Sequence, residues 1–170
     1  MPTNRLDPEA IRYSGGLLIS WRSTDNAEAA NTVVVRNCTF INNNANINER
    51  NRNDPRPSFY RPRGHGGAIV VSFQNVTGFT VTIVDTKITG NTAVSSGGGM
   101  FVSFFQGSSN NRVVVRNTTF EENTCKQDGG AISVNAFQFA NDNTLIVEDS
   151  SFDGNEATVG GGACSFNLQV

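Results

Sequence analysis

The sequence predicts an all-β protein folded as a parallel β-helix, a solenoid of about four to five rungs of about 32 residues each. Three observations predict this fold. A Phe or Ile followed three residues later by Asn recurs through the chain, and a Gly-Gly pair followed by a short apolar run recurs with the same period. Apolar residues beside both motifs alternate with a period of two, which is typical of strands, and the abundance of Asn and Gly favours turns over helices.

The Phe-x-x-Asn motif predicts two columns of stacked side chains. In a solenoid, equivalent residues of successive rungs lie about 4.8 Å apart, the spacing of paired strands. We therefore expect an internal apolar column and, at one corner, an Asn ladder whose amides bond along the axis. The apolar column is Phe40, Ile88, Phe120 and Phe152, and the ladder is Asn43, Asn91, Asn123 and Asn155.

Two further sets of residues mark turns. Gly pairs are expected at a second corner, where a Cβ atom would clash with a neighbouring rung: Gly66/Gly67, Gly98/Gly99, Gly129/Gly130 and Gly161/Gly162. Asn or Asp precedes the Phe row in every repeat and predicts a tight side-chain-assisted turn, at Asn37, Asp85, Asn117 and Asp149.

The domain organisation follows from the period. Residues 1–14 are predicted to form an N-terminal lead-in or cap, and residues 15–170 the β-helix. The first repeat is longer than the others, which places an inserted Arg/Pro-rich loop at about residues 46–65. Because the chain stops at Val170 directly after a Gly-Gly strand, we expect further rungs or another subunit to cover that end.

The paired signals F-x-x-N and G-G-A-[ILV] resemble the repeats of the polymorphic outer-membrane proteins, best known from chlamydial surface adhesins. Phe120, Asn123 and 129–132 match this pattern fully, and Phe40, Asn43 and 66–69 match it across the insertion. The departures are Ile88 for Phe, Met100 and Phe101 for Ala-Ile, and Cys164 for an aliphatic residue. The resemblance implies a right-handed parallel β-helix on a cell surface, used in adhesion and without catalytic residues.

The expected function is that of a non-catalytic extracellular repeat domain, acting in surface adhesion or as a structural piece of an extracellular assembly. A protein or glycan at a surface is the expected partner, or other copies that stack on open ends. The net charge of −2 gives no reason to expect nucleic acid, and the absence of a run of 18 apolar residues predicts no membrane span. No cofactor or metal is expected.

The alternative function is that of a polysaccharide lyase or glycosidase, because parallel β-helices also include such enzymes. These chemistries need clustered acids at a defined separation. The acids of this chain are scattered, and Glu148 is expected to form an ordinary surface ion pair with Arg116 of the preceding rung. The sequence therefore favours a non-enzyme.

The insertion is the best candidate for a specific contact. It is basic, aromatic and stiffened by proline, and Arg and Tyr are favoured anchors at interfaces. Its candidate contact residues are Arg50, Arg52, Arg56, Phe59, Tyr60, Arg61 and Arg63. The alternative is a solvent-exposed loop without a partner that packs against the side of the β-helix. A second candidate surface is an outward row that is unusually apolar, formed by Val34, Thr82, Val114 and Ile146.

Modification sites are also candidates. Three sequons predict N-glycosylation at Asn37, Asn75 and Asn117, and Asn75 is expected to be the exposed one because it lies in a polar turn. The three cysteines, Cys38, Cys125 and Cys164, occupy different places in the repeat. They are expected to be small buried side chains, with a disulfide as the alternative.

Overall fold

The computed structural model describes residues 15–28, 31–45 and 64–168, which form seventeen β-strands. Every strand pairing among these residues is parallel, and partners lie about one repeat apart in the sequence. No helix occurs among the described residues. The predicted parallel β-helix is therefore confirmed.

The strands form four parallel sheets that run along the solenoid. Sheet A contains β1 Leu17–Glu28, β5 Ile69–Thr77, β9 Met100–Phe105, β13 Ile132–Ala136 and β17 Cys164–Leu168. Sheet B contains β2 Thr32–Arg36, β6 Thr80–Val84, β10 Arg112–Arg116 and β14 Thr144–Glu148. Sheet C contains β3 Thr39–Ile41, β7 Lys87–Thr89, β11 Thr119–Glu121 and β15 Ser151–Asp153. Sheet D contains β4 Asn44–Ala45, β8 Thr92–Ala93, β12 Thr124–Cys125 and β16 Glu156–Ala157.

Each rung thus has one strand in each sheet, and β17 begins a fifth rung. One of these four strands is not recognisable from the sequence pattern. The strands of sheet D have only two residues, which is too short for an alternating pattern to be recognised.

The interior consists of columns of stacked apolar side chains. The register pairs Phe40 with Ile88, Ile88 with Phe120, and Phe120 with Phe152. The rings of Phe120 and Phe152 are stacked with centroids 5.1 Å apart. Ile88 and Phe120 are fully buried, and burying a side chain of this size contributes about 1.5–3 kcal/mol.

A second aromatic column lies in sheet A. The ring of Phe73 stacks on Trp21 and on Phe104, with both centroid distances at 5.4 Å. Phe73 is fully buried and Phe104 almost so. Since aromatic contacts add to the apolar burial, this column fixes the register of the first three strands of sheet A.

The turn before the Phe row has a left-handed backbone in every rung. The φ angles are 53° at Asn37, 53° at Asp85, 45° at Asn117 and 48° at Asp149. Asn and Asp adopt this region more readily than other non-Gly residues. The repeated Asn/Asp position is therefore explained by backbone conformation.

A hydroxyl column follows this turn. Oγ1 of Thr86 donates a hydrogen bond to the carbonyl of Val84, and Oγ1 of Thr118 donates to that of Arg116, each at 2.9 Å. Ser150 makes the same bond in the fourth rung, and the thiol of Cys38 makes it in the first at 3.3 Å. Cys38 therefore takes the place of a Thr or Ser.

The Gly corner differs from the prediction by one residue in the third rung. The register aligns the first residues of the sheet A strands, so that Met100 stands beside Ile69 and Ile132. Positive φ angles consequently fall on Gly66, Gly97, Gly129 and Gly161. A Cβ at Gly98 or Gly99 would clash with a backbone oxygen of the next rung, as predicted. The pair equivalent to Gly66/Gly67 is nevertheless Gly97/Gly98, because three consecutive glycines, 97–99, hid the register.

The predicted apolar outward row is not a continuous exposed strip. Val34 is 52% exposed, but Val114 is only 7% exposed, and Thr82 and Ile146 are half-buried. Val114 has a neighbouring strand on both sides, whose side chains shield it, whereas Val34 has one. The prediction of an exposed row was wrong for this reason.

Candidate functional site

The predicted Asn residues form a continuous hydrogen-bonded ladder. The side-chain Nδ2 of Asn43 donates to Oδ1 of Asn91 at 2.9 Å, Asn91 to Asn123 at 2.8 Å, and Asn123 to Asn155 at 2.9 Å. Each accepting oxygen also takes the backbone N–H of the donating Asn, at 2.9–3.1 Å. The ladder therefore replaces, at a corner, the backbone pairing that the turn interrupts.

The ladder also reaches back to the preceding rung. Nδ2 of Asn123 donates to the carbonyl of Ile88, and Nδ2 of Asn155 donates to that of Phe120, each at 2.9 Å. Asn91 and Asn123 are fully buried. A buried Asn needs partners for its amide oxygen and for both of its amide hydrogens, because an unpaired buried polar group is costly. This geometry supplies them all.

A second ladder, at another corner, was missed by sequence reasoning. Nδ2 of Asn111 donates to Oδ1 of Asn143 at 2.9 Å and to the carbonyl of Val76 at 2.9 Å. Asn31 precedes the equivalent strand of the first rung, but Phe79 takes this place in the second. The 32-residue spacing of Asn111 and Asn143 was the available signal, and the Phe79 interruption hid it.

Nearly all buried polar side chains of the described residues have a hydrogen-bond partner within the β-helix. Among the described residues, the only buried side-chain oxygen or nitrogen without a partner is the hydroxyl of Ser108. A binding or catalytic pocket typically has several convergent polar groups free for a ligand. The described interior offers no such set.

His65 lies beside the Gly corner and packs as a structural residue. Its ring stacks on Phe101 with centroids 4.2 Å apart, and its Nδ1 accepts the backbone N–H of Ser96 at 3.3 Å. Burial lowers the pKa of His65 to about 4. The imidazole is therefore neutral near pH 7.

The three cysteines are free thiols. Burial raises the pKa of Cys125 and of Cys164, so both remain protonated near neutral pH. Cys125 is buried where the other rungs have Ala45, Ala93 and Ala157. The expectation of small side chains holds at this position.

Two acidic residues of the described chain form ion pairs between neighbouring rungs. Glu121 pairs with Lys87 at 2.7 Å, and Glu148 pairs with Arg116 at 2.6 Å as the sequence predicted. No group of three or more His, Cys, Asp or Glu side chains suited to a metal ion occurs in the described part. No helix there is long and apolar enough to cross a membrane.

The sequons differ in accessibility. Asn37 and Asn117 are exposed, and Nδ2 of Asn117 donates to Asp85 at 2.8 Å. Asn75 is half-buried, and its Nδ2 donates to the carbonyl of Ser23 at 3.2 Å. The expectation that Asn75 is the exposed sequon was wrong, because this side chain packs against the preceding rung.

The predicted contact residues of the insertion, Arg50, Arg52, Arg56, Phe59, Tyr60, Arg61 and Arg63, lie outside the described residues, as do residues 1–14. The insertion connects Ala45 to Gly64. The carbonyl of Gly64 accepts the N–H of Ser95 at 3.0 Å, so Gly64 and His65 already contact the third rung. The contact role of the insertion stays a prediction.

Comparison with protein families identifies the repeat. Residues 117–135 and 149–167 each match the family model of the Chlamydia polymorphic membrane protein repeat. Each match begins at the left-handed turn, includes the Phe-x-x-Asn motif and ends in sheet A. The resemblance to these repeats is thereby confirmed, and it suggests a surface or outer-membrane protein. No curated protein and no solved structure matches the chain.

Proposed function

We propose that this chain, which carries polymorphic membrane protein repeats in a parallel β-helix, is a non-catalytic extracellular module that acts in surface adhesion or as a structural piece of an extracellular assembly. The observation that carries the proposal is the hydrogen bonding of the buried polar side chains. The recurrent spacing of Asn within the chain forms the two ladders, and the buried amides bond to one another and to backbone carbonyls. The buried Asn residues therefore stabilise the β-helix, and a partner would be bound by residues at its surface.

The distribution of carboxylates supports a non-catalytic role. A glycosidase needs two carboxyl groups that face one substrate, at about 5–10 Å from each other. Glu121 and Glu148 are each held by a cation of the preceding rung. Asp85 and Asp149 occupy left-handed turn positions where Asn stands in the other rungs. Local structure therefore explains each of these acids.

The adhesive contact is proposed to lie in the insertion between β4 and β5. A solenoid tolerates a long insertion at a corner, because each rung contacts only its neighbours. Arg and Tyr side chains on such a loop provide charge-assisted hydrogen bonds and aromatic contact. The five Arg of the insertion account for much of the basic charge of the chain, which has 13 Lys and Arg in total.

The test measures binding of the purified chain to cells and to immobilised acidic and neutral glycans. Replacing Arg50, Arg52, Arg56, Arg61 and Arg63 by Ser should abolish binding, whereas replacing the charged residues Arg22, Arg112 and Lys126 by Ser should leave it largely intact. Equal loss in both variants would show nonspecific charge attraction. Release of reducing ends or unsaturated products from a panel of polysaccharides would overturn the non-catalytic assignment.

A further inference from the structure

The outward face of sheet A differs in charge from the other three sheets. Strands β5, β9, β13 and β17 contain no Asp, Glu, Lys or Arg, although the chain has 13 basic and 15 acidic residues. Each of the other sheets has charged side chains on its strands, such as Arg116, Glu121 and Glu156. These four strands of sheet A therefore form a surface without charge.

A column of small polar side chains runs along this face. Ser72, Ser103 and Asn135 are direct neighbours in the register of β5, β9 and β13. Side chains alternate between the two faces of a strand, and Phe73 and Val102, which are adjacent to the two Ser residues, are fully buried in the core. The three polar side chains therefore point outward, and none of them forms a hydrogen bond within the described chain.

These three side chains are half-buried, although each lies on a strand that is paired on both sides. β1 lies beside β5, and β17 lies beside β13. The column is therefore accessible between paired neighbours and is not an open edge of the sheet. Its hydroxyl and amide groups can donate and accept hydrogen bonds, so they are available to a ligand that approaches the face.

An aromatic ring and a pair of amides border the column. Phe105 follows the buried Phe104, points outward and is half-buried. The register sets Phe105 beside Gln74, whose Nε2 donates to Oε1 of Gln106. The second Nε2–H of Gln74 and the Nε2 of Gln106 form no hydrogen bond with described residues. The border thus combines a flat apolar ring with uncharged hydrogen-bonding groups.

The turn after β13 carries a second aromatic side chain. Phe139 has a φ angle of 63°, and Gly107 has 72° at the same position of the third rung. A left-handed conformation is unusual for a bulky residue, and such strain is found preferentially at functional sites. Phe139 is 79% exposed, so core packing does not explain it. The same turn is also exposed at Gln106 of the third rung, which has described rungs on both sides.

We propose that the outward face of sheet A binds a neutral glycan that lies along the axis of the β-helix. Phe105 and Phe139 contact the C–H faces of sugar rings, because the face of an aromatic ring is electron-rich. Ser72, Ser103 and Asn135 exchange hydrogen bonds with sugar hydroxyls. These polar groups repeat every 4.8 Å or so along the axis, which is close to the length of one sugar in an extended β-1,4-linked chain.

The absence of charge favours a neutral glycan over other partners. An acidic glycan or a nucleic acid would have to give up hydration of its charges, and this face has no opposite charge to compensate. A protein interface usually has an apolar centre and a polar rim. This face has the opposite arrangement, with a polar column at its centre and aromatic rings at its border.

The proposal rests on the adhesive part of the proposed function and deepens it, but it uses no residue of the insertion. A shallow face that holds a few sugars has a modest affinity, because association and ordering of the ligand are costly. We expect a Kd in the millimolar range. Such binding is too weak to be retained in a washed adhesion assay.

The experiment titrates the intact chain with cellohexaose, a neutral β-1,4-linked oligosaccharide, and follows the backbone amides by nuclear magnetic resonance. The expected result is a set of saturable chemical-shift changes at the amides of Ser72, Ser103 and Asn135. Amides of sheet D in the same rungs, those of Thr92 and Thr124, should not shift.

Two variants and one control locate the site. Phe105→Ala should weaken the binding of cellohexaose at least tenfold, because it removes a ring that contacts the sugar. Ser103→Glu should do the same by placing a charge in the polar column, and it leaves the aromatic border intact. The matched control is Thr92→Glu, which places the same charge on the exposed surface of sheet D and should change the affinity less than twofold. Thermal unfolding verifies that each variant is folded.

Three results would overturn the proposal. The first is the absence of saturable shifts at millimolar cellohexaose, and the second is equal binding by the parent chain and folded Ser103→Glu. The third is self-association that shifts the same amides without sugar, since the face would then bind protein. Hexagalacturonate, an acidic oligosaccharide, should bind this face at least tenfold more weakly than cellohexaose, and equal binding would contradict selection by charge.

The variant with the five Arg of the insertion replaced by Ser separates this site from the contact proposed for the insertion. It should lose binding to cells and keep its affinity for cellohexaose within twofold. Loss of cellohexaose binding in this variant would overturn the assignment to sheet A. Failure of the parent chain to bind cells, with cellohexaose binding intact, would overturn the insertion contact alone.

Discussion

Asn91 and Asn123 are joined across neighbouring rungs by two hydrogen bonds to a single atom. Oδ1 of Asn123 accepts the backbone N–H of Asn91 at 3.0 Å and its Nδ2–H at 2.8 Å. Both residues are fully buried. At this corner of the β-helix, a side chain therefore takes the place of backbone pairing. Only an amide of this length can both accept and donate hydrogen bonds there.

Removal of this amide should be strongly destabilising. Asn123→Ala leaves the N–H groups of Asn91 and the carbonyl of Ile88 without partners in a dry environment. We expect the free energy of unfolding to fall by about 3–5 kcal/mol, measured by urea denaturation. Asn141→Ala is the control, because Asn141 is exposed, lies outside both ladders, and its side chain donates only to the carbonyl of Phe139. Its loss should be below about 1 kcal/mol, and equal losses would contradict the ladder's role.

The Ser108 hydroxyl predicts a stabilising substitution. It is fully buried and has no hydrogen-bond partner among the described residues. Ser108→Ala should raise the unfolding free energy by about 1 kcal/mol, because it removes an unpaired polar group. Thr118→Val is the contrast, since this buried hydroxyl donates to Arg116 and its removal should destabilise by about 1–2 kcal/mol. Thermal unfolding of both variants checks the difference in sign.

His65 predicts a dependence of stability on pH. Its pKa is about 4 in the folded chain, against the ordinary value of 6.5, so the unfolded state binds more protons between these values. Stability should therefore be full above pH 6.5, fall as the pH drops towards 4, and lose no more through this residue below that. The loss has an upper bound of about 3–4 kcal/mol.

The matched variant is His65→Asn, which keeps a hydrogen-bond acceptor for Ser96 and cannot titrate. Urea denaturation at several pH values between 4 and 7 should give a smaller slope for the variant than for the parent chain. Parallel curves would contradict the assignment of this slope to His65.

Glu122 occupies a backbone position that favours Gly. Its φ angle is 52°, and Gly90 and Gly154 hold the equivalent positions with φ angles of 64° and 58°. Glu122→Gly should stabilise the chain by up to about 1 kcal/mol, because it relieves a left-handed conformation. Glu121→Gly should instead destabilise, since Glu121 lies in β11 and pairs with Lys87. The midpoints of thermal unfolding should shift in opposite directions.

The repeating positions were predictable because each is fixed by the same physical need in every rung. Phe120 and Phe152 stack as the period required, and Asn43 to Asn155 form a ladder at that spacing. The second ladder escaped prediction because Phe79 interrupts it, and the Gly corner was misplaced because three glycines follow one another at 97–99. In both cases the residue types were recognised from the sequence, but the alignment of one rung with the next was visible only in the structure.

Accessibility was harder to predict than position. Val114 points outward in alternation with buried neighbours, yet strands on both sides shield it. Asn75 lies in a polar turn, yet its amide reaches Ser23. Such contacts join residues of different rungs, so local sequence patterns do not reveal them.

The most direct test of the parallel β-helix measures whether neighbouring rungs lie in register. In a chain with Cys38→Thr, Cys125→Ala and Cys164→Ile, replacements taken from other rungs, the pair Thr92→Cys with Thr124→Cys is oxidised in the folded state. The two Thr hydroxyl oxygens lie 3.2 Å apart, so this pair should form an intramolecular disulfide readily. The control pair Thr92→Cys with Glu156→Cys is two rungs apart, about 9–10 Å, and should remain reduced. A disulfide in the control pair, or none between positions 92 and 124, would contradict the stacked coil.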